Sequence, residues 1–271
     1  MRECHILTPD LFALVAPLRG LLDALLPKKG RADVQLTCVD QGVDVVLAGV
    51  SVAGLRSLEA LTTFAERQKL ARLCVDEGLG PEPRWEPRPV TITLSGVPVP
   101  FPAGGFLQAT CEGEAALIAA AQAAVGQAGT IADLFAGLGT LTFGLGRRRI
   151  YAAEASREAI AGLKSAADAA GLQVFADHRD LYRRPLGSSE LDRFDAAILD
   201  PPRAGAREQA ATIARSTLPR LCYISCNPNT FARDAAIICE GGFRLEWVRP
   251  VGQFRWSTHV ELAACFTRQS G

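Results

Sequence analysis

Hydrophobic and polar positions alternate with two textures along the chain. Over 8–26 the apolar residues recur at helical spacing, and the stretch from Leu11 to Leu26 is interrupted by Pro17, Arg19 and Asp23. It is too polar to span a bilayer and predicts an amphipathic helix. Short β-like runs follow at 34–38 and 43–48, and a helix is expected near 57–77. A proline-rich connector over 81–89 leads to an alternating run at 90–94, a turn at Ser95-Gly96 and one more short strand.

From Phe106 the pattern changes. An alanine-rich helix over about 110–126 precedes the apolar run 131–135, after which strands and helices alternate. Strands are expected at 149–153, 172–176, 194–199 and 220–225, and helices at 156–170, 206–217 and 228–239. Two last strands fall near 243–249 and 260–267. Short apolar strands separated by helices predict a parallel sheet covered on both faces. The fold class expected is therefore α/β, with a smaller α+β domain over 1–105 and the α/β domain over 106–271.

Composition narrows the classes of function. Hydrophobic residues make up 48% of the 271, enough for a sizeable core. Lys+Arg and Asp+Glu number 29 each, so bulk charge alone does not hold this chain on nucleic acid. The eight cysteines form no CxxC pair and no zinc spacing, and the first residues lack a signal-peptide pattern. A reducing cytoplasm without disulfides is the expected compartment, and no metal site and no membrane association are expected.

The strand 131–135 runs into Asp133-Leu134-Phe135-Ala136-Gly137-Leu138-Gly139-Thr140. A tight glycine turn from strand to helix brings backbone N–H groups close to a ligand. Thr142 stands where a dinucleotide-binding turn has its third small residue, so NAD is disfavoured. S-adenosylmethionine has no pyrophosphate and suits a D-x-F-x-G-x-G turn. Glu154 ends the next strand, 17 residues after Gly137, where a carboxylate can accept both ribose hydroxyls. Asp180, after the third strand, is placed to border an adenine ring.

Two later strand ends carry the chemistry. The run 194–199 delivers Asp200-Pro201-Pro202-Arg203, with Asp200 facing the ligand edge of the sheet. Base-amino methyltransferases have an aromatic residue at the position of Arg203, which argues against amino-group methylation. The run 220–225 delivers Cys226-Asn227-Pro228, a thiol at the start of a helix, where a lowered thiol pKa is expected. A thiol beside a methyl donor makes chemical sense for uracil. Addition of the thiolate to C6 turns C5 into an enolate carbon able to take a methyl group, and a base then removes the C5 proton. Glu261 is the candidate base, with His259 a weaker one that can equally orient the loop. Arg255 and Trp256 can stack on a flipped-out base or, for Trp256, pack in the core.

With those residues in view, the chain resembles the bacterial uracil-C5 RNA methyltransferases, which modify 23S ribosomal RNA or the T-loop of tRNA. The resemblance covers 106 to the C-terminus and rests on Phe106-Leu107-Gln108, the 133–139 turn, Asp200-Pro201-Pro202-Arg203, Ser225-Cys226-Asn227-Pro228 and His259-Val260-Glu261. It implies a Rossmann-like S-adenosylmethionine methyltransferase sheet, Cys226 as nucleophile and Glu261 as general base. It also implies that Gln108, Phe135, Glu154, Asp180 and Asp200 line the cofactor and uracil pocket. The expected cofactor set is completed by Gly137, Gly139 and Thr140, and Asp200 and Arg203 are expected to meet the substrate.

Three departures stand out. Thr140 occupies a position that often holds Asn, and the segment 252–261 lacks the usual Asp, Pro and Thr. The family usually has a further N-terminal stretch with an RNA-binding barrel and, in many members, three iron–sulfur cysteines, and neither is expected in this chain. Cys4 resembles the fourth cluster ligand without its partners, so a truncated form or fragment without an iron–sulfur cluster is expected. RNA is the expected partner of a monomer, ribosomal RNA before tRNA because the Cys4 region resembles the cluster-bearing ribosomal members, and residues 1–105 are expected to face it. Basic clusters at Lys28-Lys29-Gly30-Arg31, Arg147-Arg148-Arg149 and Arg183-Arg184 offer phosphate contacts or solvated faces. A non-catalytic RNA- or cofactor-binding form, a methyltransferase acting on an amino group, and an NAD-dependent oxidoreductase remain the alternatives.

Overall fold

The computed structural model describes residues 3–254 and 257–268. The chain divides into two compact units, one of residues up to Thr93 with Pro100–Gly105, the other of Leu94–Val99 with the residues from Phe106 onward.

The first unit begins with α1 (Pro9–Ala13) and α2 (Val15–Leu25), one expected helix broken at Leu14. Pro17 has no N–H to give to Ala13, so the helical ladder cannot run through this point. A hairpin of β1 (Asp33–Val39) and β2 (Gly42–Ala48) leads to α3 (Leu55–Arg67), β3 (Arg72–Asp76) and β4 (Pro81–Trp85). The sheet order is β1-β2-β3-β4, with β2 and β3 parallel and the outer pairs antiparallel. Leu14, Leu18 and Leu21 pack with Leu61 and Phe64 of α3 on Val45, Leu47, Leu73 and Val75.

Two expectations fail here for physical reasons. The helix expected over 57–77 stops at Arg67, and β3 replaces its end. Lys69 takes a left-handed φ of 52° without being glycine, and the apolar residues after it fill a central strand. A fully buried strand and a buried helix segment give the same unbroken apolar run. The proline-rich connector contains β4, where Pro81 and Pro83 are tolerated because the strand is at the sheet edge.

A hairpin of β5 (Thr91–Leu94) and β6 (Val97–Pro100) precedes the second unit's main body. There α4 (Cys111–Val125), β7 (Thr130–Leu134), α5 (Thr140–Gly144), β8 (Arg149–Glu154), α6 (Arg157–Ala169) and β9 (Val174–His178) follow in turn. Next come α7 (Ser188–Leu191), β10 (Ala196–Leu199), α8 (Arg207–Arg215), β11 (Arg220–Ser225), α9 (Pro228–Glu240), β12 (Phe243–Val251) and β13 (Glu261–Arg268). The short helix α5 is the one the glycine turn was expected to enter, and α7 is an addition to the expected pattern.

The seven-stranded sheet has the order β12-β13-β11-β10-β7-β8-β9. Strands β9, β8, β7, β10 and β11 are parallel, and β13 inserts antiparallel between β11 and β12. Side chains alternate between two cores. Ala197, Leu199, Leu221 and Tyr223 meet α8 and α9 on one face, and Ala196, Ile198, Cys222 and Ile224 meet α4 on the other. Burial on both faces explains why these strands read as continuous apolar runs. Cys222 and Cys265 are buried cross-strand neighbours on β11 and β13. This is a Rossmann-like sheet, with the switch in strand order beside β7. Among the described residues no helix is long and apolar enough to cross a membrane.

Candidate active site

The sheet gathers the chemistry-bearing residues at one edge. Phe135 follows β7, Glu154 ends β8, Asp180 follows β9, Asp200 follows β10 and Cys226 follows β11. Because β13 runs the other way, its first residue lies at that same edge, and Ser225 opposite Leu262 sets Cys226 beside Glu261 in register. Open α/β sheets bind ligands at this edge, next to the switch point.

A cavity of about 450 Å³ opens there. Gln108, Phe135, Gly137, Thr140, Glu154, Asp180, Asp200, Arg203, Cys226 and Glu261 all line it. Gly139, expected at the cofactor, does not. It adopts φ 94°, and a Cβ there would come within 2.7 Å of Phe143 and 3.0 Å of Leu163. Its part is to let the turn close onto α5 and α6.

The turn is held by its own carboxylates. Gly137 N–H donates to Glu154 Oε2 at 3.0 Å and Ser156 N–H donates to Oε1 at 2.7 Å, which fixes the carboxylate at the cavity wall. Phe135 takes a left-handed φ of 64° and its ring lies 5.4 Å from that of Tyr182. Thr142, the residue that spoils a dinucleotide fingerprint, is buried and donates to Asp133 Oδ2 at 2.6 Å. The Asp133 carboxyl is pushed up to about 6, chiefly by burial, and its Oδ1 has no partner.

Electrostatics at the reacting end run against one expectation. Burial raises the Cys226 thiol above its ordinary value, and the Glu261 and Asp200 carboxylates add to the rise, outweighing the backbone hydrogen bond and Arg203. The expected lowering by the helix does not prevail, because Asn227 caps α9 and the sulfur sits before the cap, facing two acids. Asp200 is pushed up to about 7 by burial and by Asp133 and Glu261. Glu261 is raised by burial, and His259, with Nε2 3.7 Å from Glu261 Oε1, opposes that rise. His259 itself is anchored through its N–H to Ser257 Oγ at 3.0 Å.

Several residues at the site carried no sequence signal. Gln253 donates through Nε2 to Gln108 Oε1 at 2.6 Å and accepts Ala109 N–H at 2.8 Å, across 145 and 144 positions of chain. Arg179 is buried, pairs with Glu190, and donates to the carbonyls of Arg184 and Pro185, shaping the loop that carries Asp180 and Tyr182. Tyr182 and Leu181 line the cavity without forming part of any recognisable run. Of the basic clusters, Arg148 is half-buried and donates to Gly126 O at 2.9 Å, and Arg183 pairs with Asp180 at 3.4 Å. Arg255 and Trp256 lie outside the described residues.

Cys4 is half-buried and accepts Leu7 N–H through its sulfur at 3.4 Å, a contact that lowers its thiol pKa. Among the described residues no three His, Cys, Asp or Glu side chains come together as a metal site.

S-adenosylmethionine fits the donor set. A fixed carboxylate at the end of β8, an apolar wall of Leu138, Leu181 and Phe135, and a glycine turn suit a ribose, an adenine and a linker without a pyrophosphate. The cavity volume is in the range of small-molecule sites.

Comparison with known proteins agrees with this architecture. A relative in Zymomonas mobilis, described as an uncharacterised RNA methyltransferase, is 49% identical over 267 residues, 98% of this chain and 67% of the relative. The 23S rRNA (uracil(1939)-C(5))-methyltransferase of Aeromonas salmonicida is 28% identical, over 97% of this chain and 61% of its own length. The chain thus spans about two thirds or less of these relatives. In fold it is similar to the crystal structure of the Pyrococcus abyssi tRNA (uracil-54, C5)-methyltransferase in complex with S-adenosyl-L-homocysteine. The TM-score is 0.79 at 19% identity, over 98% of this chain and 69% of that one. The tRNA (uracil-5-)-methyltransferase family matches residues 101–269, and the chain belongs to that family.

Proposed function

We propose that this protein transfers a methyl group from S-adenosylmethionine to C5 of a uridine in RNA through a covalent bond between Cys226 and C6. The observation that carries the reading is the convergence of Cys226, Glu261 and Asp200 with the Gly137 turn on one cavity. Glu154 would hold the ribose hydroxyls, Asp180 would border the adenine, and Gln108, steadied by Gln253, would meet the base.

The order of steps follows from the electrostatics. Burial and the Glu261 and Asp200 carboxylates disfavour the Cys226 thiolate in the empty site, so the S–H proton is lost to solvent as a pyrimidine and a cationic sulfonium enter. Cys226 sulfur then adds to C6, and the C5–C6 π electrons move onto O4 as an enolate. S-adenosylmethionine supplies an electrophilic methyl group, which the enolate carbon C5 takes as the S–CH3 bond breaks and S-adenosylhomocysteine is left. Glu261 next removes the C5 proton, the electron pair reforms the C5–C6 double bond, and the C6–S bond breaks to restore the Cys226 thiolate. Asp200, with a carboxyl near 7, can accept from uracil N3–H or donate to a uracil carbonyl. Arg203, exposed at the rim, would contact the RNA.

Ribosomal RNA is the preferred substrate, with the 28% identical relative named for 23S rRNA in support and the family's tRNA members as the alternative. The enzyme would act in the cytoplasm as a monomer, with the first unit facing the RNA. The test is to incubate the protein with unmodified 23S rRNA and tRNA transcripts and S-adenosylmethionine, then digest and weigh the nucleosides. 5-Methyluridine in one transcript, lost with Cys226→Ala, is expected. Methylation that survives the substitution, or that appears on an amino group, refutes the reading.

A further inference from the structure

The buried carboxylate of Asp234 has no part in that chemistry, yet it joins two elements that carry it. It sits on α9 and is fully buried. Oδ2 accepts Ala206 N–H at 2.7 Å and Tyr223 O–H at 2.7 Å, while Oδ1 accepts Arg233 Nε at 2.8 Å. Tyr223 lies on β11, three residues before Cys226. Ala206 closes the loop that begins with Asp200, Pro201, Pro202 and Arg203.

The same face of α9 grips the rest of that loop. Asn227 Nδ2 and Thr230 Oγ1 donate to Arg203 O at 3.1 and 3.3 Å, and Arg233 Nη2 donates to Ala204 O at 3.1 Å. Gly205 permits the approach. It has φ 75°, and a Cβ there would lie 2.6 Å from Asp234 Oδ2. Two prolines and one exposed arginine give the loop few hydrogen bonds of its own, so its position is set from α9.

We infer that Asp234 is a positioning residue, a latch fixing the Asp200–Arg203 loop against the strand that presents Cys226. The inference rests on the proposed uridine chemistry for its kinetic consequence, not for its geometry. Misplacing reacting groups by about 1 Å costs up to about a hundredfold in rate. A residue that merely supports folding would lower the yield of active protein and leave the turnover of each folded site unchanged.

The test measures methyl transfer from tritiated S-adenosylmethionine to unmodified 23S rRNA and tRNA transcripts, with kcat expressed per S-adenosylhomocysteine-binding site counted by calorimetry. Asp234→Ala is expected to lower kcat about 10- to 100-fold, with KM for S-adenosylmethionine within about twofold. Asp234→Asn keeps an oxygen for Ala206 and Tyr223 and is expected to restore most of the loss. An unchanged kcat per site in Asp234→Ala, or a loss that Asn does not relieve, overturns the latch. Should Asp234→Ala not fold, Gly205→Ala decides, since it wedges the loop away from its own side and must lower kcat in the same way. Should the wild type methylate neither transcript, the functional reading fails separately. Hydrogen exchange at the Ala206 amide then decides: at least about tenfold faster in Asp234→Ala supports the latch, and unchanged protection removes it.

Discussion

Asp200 is held at a cost that can be measured. Its carboxyl is pushed up to about 7, against an ordinary value of 3.8, by burial and by Asp133 and Glu261. For an acid whose folded-state pKa is raised, both states are protonated below the unfolded value and there is no penalty. As pH rises through 4 toward 7 the unfolded chain gives up the proton first, and stability falls. Above the folded value the whole penalty is present. Three pH units correspond to about 4 kcal/mol, an upper limit because the open cavity lets water reach this carboxylate. Asp200→Asn removes the term. Its stability relative to wild type should therefore increase by ~2 kcal/mol between pH 5 and pH 8. Urea denaturation of both proteins at several pH values measures this directly. A wild-type-to-variant difference that stays constant across the range refutes the assignment of the raised carboxyl to this position. The same substitution should abolish methyl transfer, a gain of stability at the expense of activity.

Other substitutions probe separate parts of the account. Glu154→Gln keeps one oxygen for the turn but loses the second acceptor and the charge, so calorimetry should show S-adenosylhomocysteine binding about tenfold weaker, near 1.4 kcal/mol. Gly139→Ala forces a Cβ to 2.7 Å from Phe143 at φ 94°, and thermal melting should show a loss of about 2–4 kcal/mol. In the first unit, Arg72→Ala strands the buried Asp44 carboxylate, which now receives Arg72 at 2.8 Å, and should cost about 3–5 kcal/mol of that unit's stability by urea titration. Glu261→Gln should slow turnover at least about a hundredfold while leaving S-adenosylhomocysteine affinity within about twofold, measured by calorimetry and tritium transfer.

Much of the second unit was legible because its strands are short and apolar and alternate with helices. The site followed from the strand ends, since topology alone brings Glu154, Asp200 and Cys226 to one edge. What escaped depends on long-range contact or on charge. Gln253 meets Gln108 across 145 positions, and no local pattern announces such a pair. The Cys226 thiol rises instead of falling because it is partly buried and two carboxylates converge on it in space, which a reading of one helix terminus does not include. In the first unit, β3 was mistaken for the end of a helix because Lys69 turns the chain without a glycine, and β4 was hidden in prolines that only an edge strand accepts.

The bond between the Cys226 sulfur and C6 can be isolated with 5-fluorouridine. Fluorine at C5 leaves Glu261 no proton to remove, so addition and methyl transfer proceed but elimination cannot. Incubated with S-adenosylmethionine and 5-fluorouridine-substituted 23S rRNA or tRNA transcript, the protein should form an adduct stable to denaturation. Mass spectrometry of the digested complex should place a methylated fluorouridine on the peptide containing Cys226, and Cys226→Ala should give none. An adduct on another cysteine, or nucleosides methylated at C5 with no adduct at all, would contradict the account.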